Sequence, residues 1–139
     1  MKRMLKGVLV KVDGTNEVIE IEDTLKNLYQ VCDCECIDII SRRIGGKVFD
    51  IVLDDEGLLK EKMITAMRED RAEILVGNLF VVKNTGKGNL KGLNQEEIDH
   101  VRSLINKDGL LIIDKPTKKD REAMKELIEA FGGNVIRIK

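Results

Sequence analysis

The sequence is poor in aromatic residues and in proline. Its 139 residues include no tryptophan, one tyrosine, three phenylalanines and one proline. The core must therefore consist mainly of Ile, Leu and Val side chains. A chain of this length can bury roughly two-thirds of its unfolded surface in one domain. We therefore expect a single domain over residues 1–139 that needs neither disulfide nor metal for stability.

Histidine is almost absent as well. The one histidine, His100, follows Ile98 by two positions, which turns it about 200° away from the apolar stripe of its predicted helix. We therefore expect His100 to be exposed to solvent. Because a histidine is the usual general base for a nucleophile, we expect that the protein is not an enzyme and has no catalytic residues.

Neither sign of charge predominates. The chain has 24 basic and 25 acidic residues, a net charge of −1 and a pI near 5.9, so no overall field favours nucleic acid or an anionic membrane. Lys6 and Lys11 interrupt the apolar run near the N-terminus, which leaves it too short for a signal peptide or a membrane span. We expect a cytoplasmic protein with no membrane or nucleic-acid partner.

All three cysteines fall in the stretch VCDCECIDII. Cys32 recurs with Leu25 and Leu28 at helical spacing, which assigns it to the core. In a strand, Cys34 and Cys36 would project from one face about 7 Å apart, where both could reach one zinc ion. Because a structural zinc normally has four ligands, we expect no metal and no other cofactor; the alternative is a zinc shared across a symmetric dimer.

Hydrophobic spacing predicts an α+β fold, built mainly from an antiparallel β-sheet with flanking helices. Alternation at the strand period predicts two hairpins in the first sixty residues, separated by a short capped helix. Residues 58–72 have no clean capping signal, and we expect them to be irregular. The run EILVGNLFVVK, residues 73–83, is apolar on both faces and is predicted to form a single central strand.

After residue 83 the sequence predicts a capped helix followed by a C-terminal extension. Asn94 with Glu97 three residues later indicates the start of a capped helix. Residues 106–139 predict a C-terminal β-α-β extension with a strand LLIID, a helix over residues 117–131 and a last strand NVIRIK. These two strands would be parallel if they share a sheet.

Two glycine-containing turns carry candidate anion-binding residues. The segment KNTGKGNLKG, residues 83–92, combines three glycines with Lys83, Lys87 and Lys91, and it precedes the positive end of a helix. Together these groups could hold a phosphate; the alternative is a flexible hairpin loop. Arg42 and Arg43, in the other turn, are a second candidate anion contact. The alternative is a basic turn that is only solvated.

Five short stretches occur in an order that is also found in a known family. They are Thr24-Leu25, Cys36-Ile37-Asp38, Asp55-Glu56-Gly57-Leu58-Leu59, Val76-Gly77, and residues 93–101. In this respect the chain resembles a family of small proteins of unknown function that is common in phages and mobile elements of Gram-positive bacteria. The resemblance covers about residues 8–105, so residues 1–105 form a family-like core. Relatives have two glycines where this chain has Cys34-Glu35.

The resemblance implies a phage or prophage origin, and hence a place in the host cell cytoplasm and a role against host defence. In size and plan the chain is also similar to the sponges with which phages sequester the cyclic ADP-ribose signals of Thoeris defence. That similarity implies a non-enzymatic homo-oligomer that binds a cyclic nucleotide or a cyclic ADP-ribose-like ligand. The residues that it would use are Phe80 for stacking on the base, Asn78, Lys83, Lys87 and Asn89 beside the ligand, and Arg42 or Arg43 to close the site.

Two alternatives accompany this expectation. Phe80 lies in an apolar strand, which favours the alternative that it is a core residue. The protein can also be an inhibitor or adaptor that binds a host protein through a sheet edge or through the C-terminal helix.

Overall fold

A computed structural model of the chain describes residues 3–86 and 89–116. These residues form eight strands and two helices, which confirms the predicted α+β fold. None of the helices in these two ranges is long and apolar enough to cross a membrane. In chain order the elements are β1 (Met4–Val10), β2 (Asn16–Glu22), α1 (Leu25–Cys32), β3 (Ile37–Ile44), β4 (Lys47–Asp54), β5 (Ile64–Arg68), β6 (Ile74–Val76), β7 (Leu79–Lys83), α2 (Gln95–Ser103) and β8 (Leu111–Ile113).

A five-stranded antiparallel sheet, in the order β2-β1-β7-β4-β3, forms the larger part of the fold. The two predicted hairpins, β1 with β2 and β3 with β4, are both present. They flank β7, which pairs with β1 on one side and with β4 on the other. Since four of the five residues of β7 are buried, the prediction of a central strand is confirmed for residues 79–83.

The prediction of a single strand over residues 73–83 is wrong, because the strand is interrupted at Gly77. Residues 74–76 form β6 in a second sheet, whereas residues 79–83 form β7 in the large sheet. Gly77 has a φ of +79°, a conformation that favours glycine, and a Cβ atom there would lie 2.9 Å from Cδ of Lys62. The run is apolar on both sides of Gly77 because most residues of each half are buried in their own sheet: Leu75 and Val76 in β6, and residues 79–82 in β7.

The second sheet is small and has the order β6-β5-β8. Its middle strand, β5, lies in the segment that was expected to be irregular, so that prediction is wrong. β6 pairs with β5 antiparallel, and β8 pairs with it in parallel. β8 confirms the first strand of the predicted C-terminal extension; the helix and last strand of that extension lie outside the described residues.

The large sheet carries one hydrophobic cluster on each face. One face packs against the small sheet and α2, and its buried residues include Val8, Ile51, Val81, Ile98 and Leu111. The other face packs beneath α1, and its buried residues are Leu5, Leu28, Cys32, Val52, Phe80, Val82 and Leu90. Cys32 is therefore a core residue, as its spacing predicted, although Leu25 of the same predicted stripe is exposed.

Two side-chain environments differ from the sequence-based expectation. His100 is half-buried rather than exposed, because the turn between β3 and β4 packs against this side of α2. Its Nε2 donates to the carbonyl of Ile44 at 2.8 Å, and its ring stacks on Phe49. Cys34 and Cys36 do not share a strand face, because α1 ends at the left-handed Asp33 and β3 begins only after Cys36.

Candidate functional site

The sheet register brings the two predicted anion-binding turns to one end of the large sheet. Arg42 on β3 and Lys83 on β7 both lie opposite Phe49 of β4, two strand spacings or about 10 Å apart. Arg43 and Asn89 lie at the same end. Asn78, in contrast, precedes β7 and lies at its other end, and Lys87 falls outside the described residues.

Phe80, the predicted stacking residue, is part of the core. Its side chain is 0% exposed and belongs to the cluster beneath α1. The backbone of β1 approaches it closely, since a Cβ atom on Gly7 would lie 2.8 Å from Cε1 of Phe80. The ring therefore offers no face to a ligand, which favours the core alternative stated above.

Asn78 and Lys83 have partners within the protein. Asn78 links the turn between β1 and β2 to the last turn of α1, because its Oδ1 accepts from the amide of Val12 at 3.0 Å and its Nδ2 donates to the carbonyl of Val31 at 3.2 Å. Lys83 lies 3.6 Å from a carboxylate oxygen of Glu97.

Arg42 is held by a bidentate ion pair. Its Nε and Nη2 donate to the two carboxylate oxygens of Glu73 at 2.8 and 2.7 Å. These hydrogen bonds raise the pKa of Arg42 and lower the pKa of Glu73. The positive charge of Arg42 is therefore already compensated within the fold, where it joins β3 to the small sheet.

The loop after β7 is anchored at its base. The amide of Lys83 donates to the carbonyl of Lys91 at 2.9 Å, and Oγ1 of Thr85 donates to the carbonyl of Asn89 at 2.9 Å. Leu90 is buried, and its carbonyl accepts from Arg3 at 2.6 Å. Asn89 and Lys91 remain exposed, so the described part of this loop presents polar and basic groups to solvent.

A cavity that was not predicted lies at the opposite end of the large sheet. It has a volume of about 350 Å³ and lies between the end of β4 and β6. We call this site the acidic groove. Its lining residues are Asp38, residues 53–59 and Ile74–Val76.

Large apolar side chains are exposed in and beside the acidic groove. Leu58, Leu59 and Met63 are 70%, 83% and 67% exposed, and Ile64 and Ile74 are also exposed. Leu58, Leu59 and Ile74 line the same cavity, and exposed apolar side chains grouped in this way are typical of an interaction site. In the sequence, only the adjacent pair Leu58-Leu59 indicated an apolar surface here. Two adjacent leucines fit neither the helical nor the strand period, so the sequence did not reveal that they are exposed.

Asp54 is the buried carboxylate of the acidic groove. Its side chain is 0% exposed, and Oδ2 lies 2.8 Å from Nζ of Lys62 and 3.1 Å from Nζ of Lys60. Burial acts to raise the pKa of Asp54, but hydrogen bonds from Lys62, the amide of Glu56 and Lys60 outweigh it and keep the pKa below its ordinary value. Lys62 also donates to the carbonyl of Asp33 at 2.6 Å, which ties the groove to the end of α1.

The thiols near this end are poor nucleophiles. Burial is the largest cause that raises the pKa of Cys32 to about 12, and burial also raises the pKa of Cys34. Because the thiolate is the reactive form, both groups are protonated at neutral pH. Within residues 3–86 and 89–116, no group of three His, Cys, Asp or Glu side chains is placed to hold a metal ion.

Comparison with known proteins places the chain in a family of unknown function. No curated protein and no solved structure matches the chain. The model of a domain of unknown function, DUF3846, matches residues 4–106, close to the range of about 8–105 over which the sequence resembles its relatives. This range includes both helices, the whole large sheet, and the acidic groove. The chain therefore belongs to the DUF3846 family of domains of unknown function.

Proposed function

We propose that the protein is a non-enzymatic inhibitor or adaptor that binds a partner protein through the acidic groove. The observation that carries this proposal is that three exposed apolar side chains, Leu58, Leu59 and Ile74, line one cavity. Burial of apolar surface contributes about 25 cal/mol per Å², so a partner that covers these side chains gains affinity from them.

The walls of the acidic groove also favour binding because the fold holds them in place. Asp54 joins the end of β4 to Lys60 and Lys62, and Val76 of β6 lies against Gly57. A surface that is ordered before binding loses less conformational entropy when the partner arrives. The proposal therefore needs no rearrangement of the groove.

The test is a pull-down that compares how much partner protein the unchanged protein and its variants recover from a cell lysate. The proposed phage origin makes lysate of a Gram-positive bacterium the source of the partner. Immobilised protein is expected to recover a stoichiometric protein, and Leu59→Asp is expected to lower recovery by about tenfold or more, the loss typical of a buried apolar contact. Leu25→Asp is the matched control, since Leu25 is an exposed leucine outside the groove. Equal recovery by both variants would contradict the proposal.

A second candidate function is sequestration of a nucleotide-like anion, such as a cyclic nucleotide or a cyclic ADP-ribose-like defence signal, by a phage-type homo-oligomer. The observation in its favour is that the turn next to Arg43 and the loop that contains Lys83 and Asn89 lie at the same end of the large sheet. Because Phe80 is buried, such a ligand would be held by its phosphates rather than by stacking on this ring.

This candidate is tested by thermal unfolding with a panel of cyclic nucleotides and cyclic ADP-ribose. A micromolar ligand is expected to raise the melting temperature by several degrees. Lys83→Ala combined with Lys87→Ala should abolish that gain, whereas the control pair Lys26→Ala and Lys107→Ala should retain it. The candidate fails if no member of the panel shifts the transition.

A further inference from the structure

We infer that the segment bound in the acidic groove is extended and cationic, with apolar side chains alternating with Lys or Arg. This inference rests on the proposed protein-binding function and adds the chemistry of the partner. Its first support is the composition of the lining, which contains the carboxylates of Asp38, Asp54, Asp55 and Glu56 and no basic side chain.

Within the described residues, the basic side chains near the groove form direct ion pairs with only one of these carboxylates. Lys60 and Lys62 both direct their ammonium groups to Asp54. Within the described residues, no Lys or Arg lies at ion-pairing distance from Asp38, Asp55 or Glu56. The rim of the groove therefore presents three carboxylates that a cationic partner can pair with.

The negative charge extends beyond the groove. A neighbouring cavity of about 230 Å³ is lined by Asp33, Glu61 and Met63, together with Val12, Lys62 and Asn78. Both cavities at this end of the molecule thus contain acidic and apolar side chains. Because the whole chain has a net charge of only −1, the negative field is local, and it would direct a basic segment to this end rather than to the protein in general.

The edge of the small sheet indicates an extended segment. On the outer side of β8, the amide of Ile112 donates to the carbonyl of Leu104, and Ile105 forms a bridge with Leu111. β6, in contrast, pairs only with β5 among the described strands, and all three of its residues line the acidic groove. A peptide strand can add to such an edge, with one set of side chains in the groove and the alternate set at the rim.

The test measures the affinity of labelled peptides for the full-length protein by fluorescence anisotropy. The probes are six-residue Arg-Ile, Glu-Ile and Arg-Ser repeats. The Arg-Ile peptide is expected to bind about tenfold or more tightly than either of the others, and to weaken as NaCl rises from about 0.05 to about 0.5 M. Equal binding of the Arg-Ile and Glu-Ile peptides would overturn the inference.

Variants that remove negative charges from the groove test whether its carboxylates bind the cationic peptide. Asp38→Asn combined with Asp55→Asn and Glu56→Gln is expected to weaken Arg-Ile binding by about tenfold. The control combines Glu20→Gln, Glu96→Gln and Asp108→Asn, three exposed acids outside the groove, and it should bind as the unchanged protein does. If the groove variant also binds unchanged, the inference fails; the proposed function then stands only if Leu59→Asp still loses its partner.

Two other occupants of the groove would also overturn the inference. A dimer that Leu59→Asp dissociates, measured by light scattering, would assign the groove to a second copy of the chain.

Residues 136–139 of this chain, Ile-Arg-Ile-Lys, have the expected alternation themselves. If Arg137→Glu with Lys139→Glu in the full chain tightens Arg-Ile binding by about tenfold, this segment rather than a partner is the occupant.

Discussion

Phe80→Ala is expected to lower the free energy of unfolding by about 4 kcal/mol, measured by urea denaturation. The ring is fully buried in the cluster beneath α1, with Leu28 and Val52 among its members and Gly7 beneath the ring. Alanine would leave a cavity there, and the surrounding side chains cannot close it without moving the backbone of the central strand. A loss below about 1 kcal/mol would contradict this account of the core.

Phe80→Leu separates a packing role from a ligand-stacking role. Leucine keeps an apolar side chain in the cluster, so we expect a loss of about 1–2 kcal/mol. Because the ring is buried, binding of any nucleotide found in the thermal-shift panel should be unchanged in this variant. Loss of nucleotide binding without loss of stability would instead restore Phe80 as a stacking residue.

Asp54→Ala is the second large expected effect, with a loss of about 3 kcal/mol in the free energy of unfolding. The variant would leave Lys62, whose side chain is only 15% exposed, without its carboxylate partner. It would also remove the acceptor for the amide of Glu56. Asp55→Asn is the matched control, since the neighbouring carboxylate is exposed, and it should change stability by less than about 0.5 kcal/mol.

The contribution of Asp54 should also depend on pH in a defined direction. Its pKa is lower in the folded protein than its ordinary value, so the ionised carboxylate stabilises the fold fully above that ordinary value. The stabilisation is lost as the pH falls through the lowered pKa. The difference in stability between the unchanged protein and Asp54→Asn should therefore shrink between pH about 5 and about 2. A difference that stays constant over this range would contradict the assignment.

The hairpins could be predicted from the sequence because their strands are half-buried. In β2, for example, Ile19 and Ile21 alternate with exposed or partly exposed glutamates, and such alternation is specific for a strand with one solvated face. The division at Gly77 could not be predicted in the same way, since β6 and the first four residues of β7 are all apolar. β5 was missed because it lies between two strands of the small sheet, and its residues do not alternate.

The candidate sites depend on contacts between distant parts of the chain. The chemistry of Arg42 was evident from its sequence, but its partner Glu73 lies 31 residues away. That pairing requires the small sheet to be placed against β3, which local patterns do not determine. The acidic groove likewise combines residues 38, 53–59 and 74–76, and only the tertiary fold reveals that its leucines are exposed.

The position of β7 between the two hairpins has a consequence for synthesis. Each hairpin forms from neighbouring residues, but their inner strands, β1 and β4, pair with β7 and not with each other. Until residues 79–83 have been translated, both hairpins carry an unpaired edge and uncovered apolar faces. Such edges readily pair with other chains. The interval before β7 emerges from the ribosome is therefore the stage at which the growing chain is most exposed to aggregation.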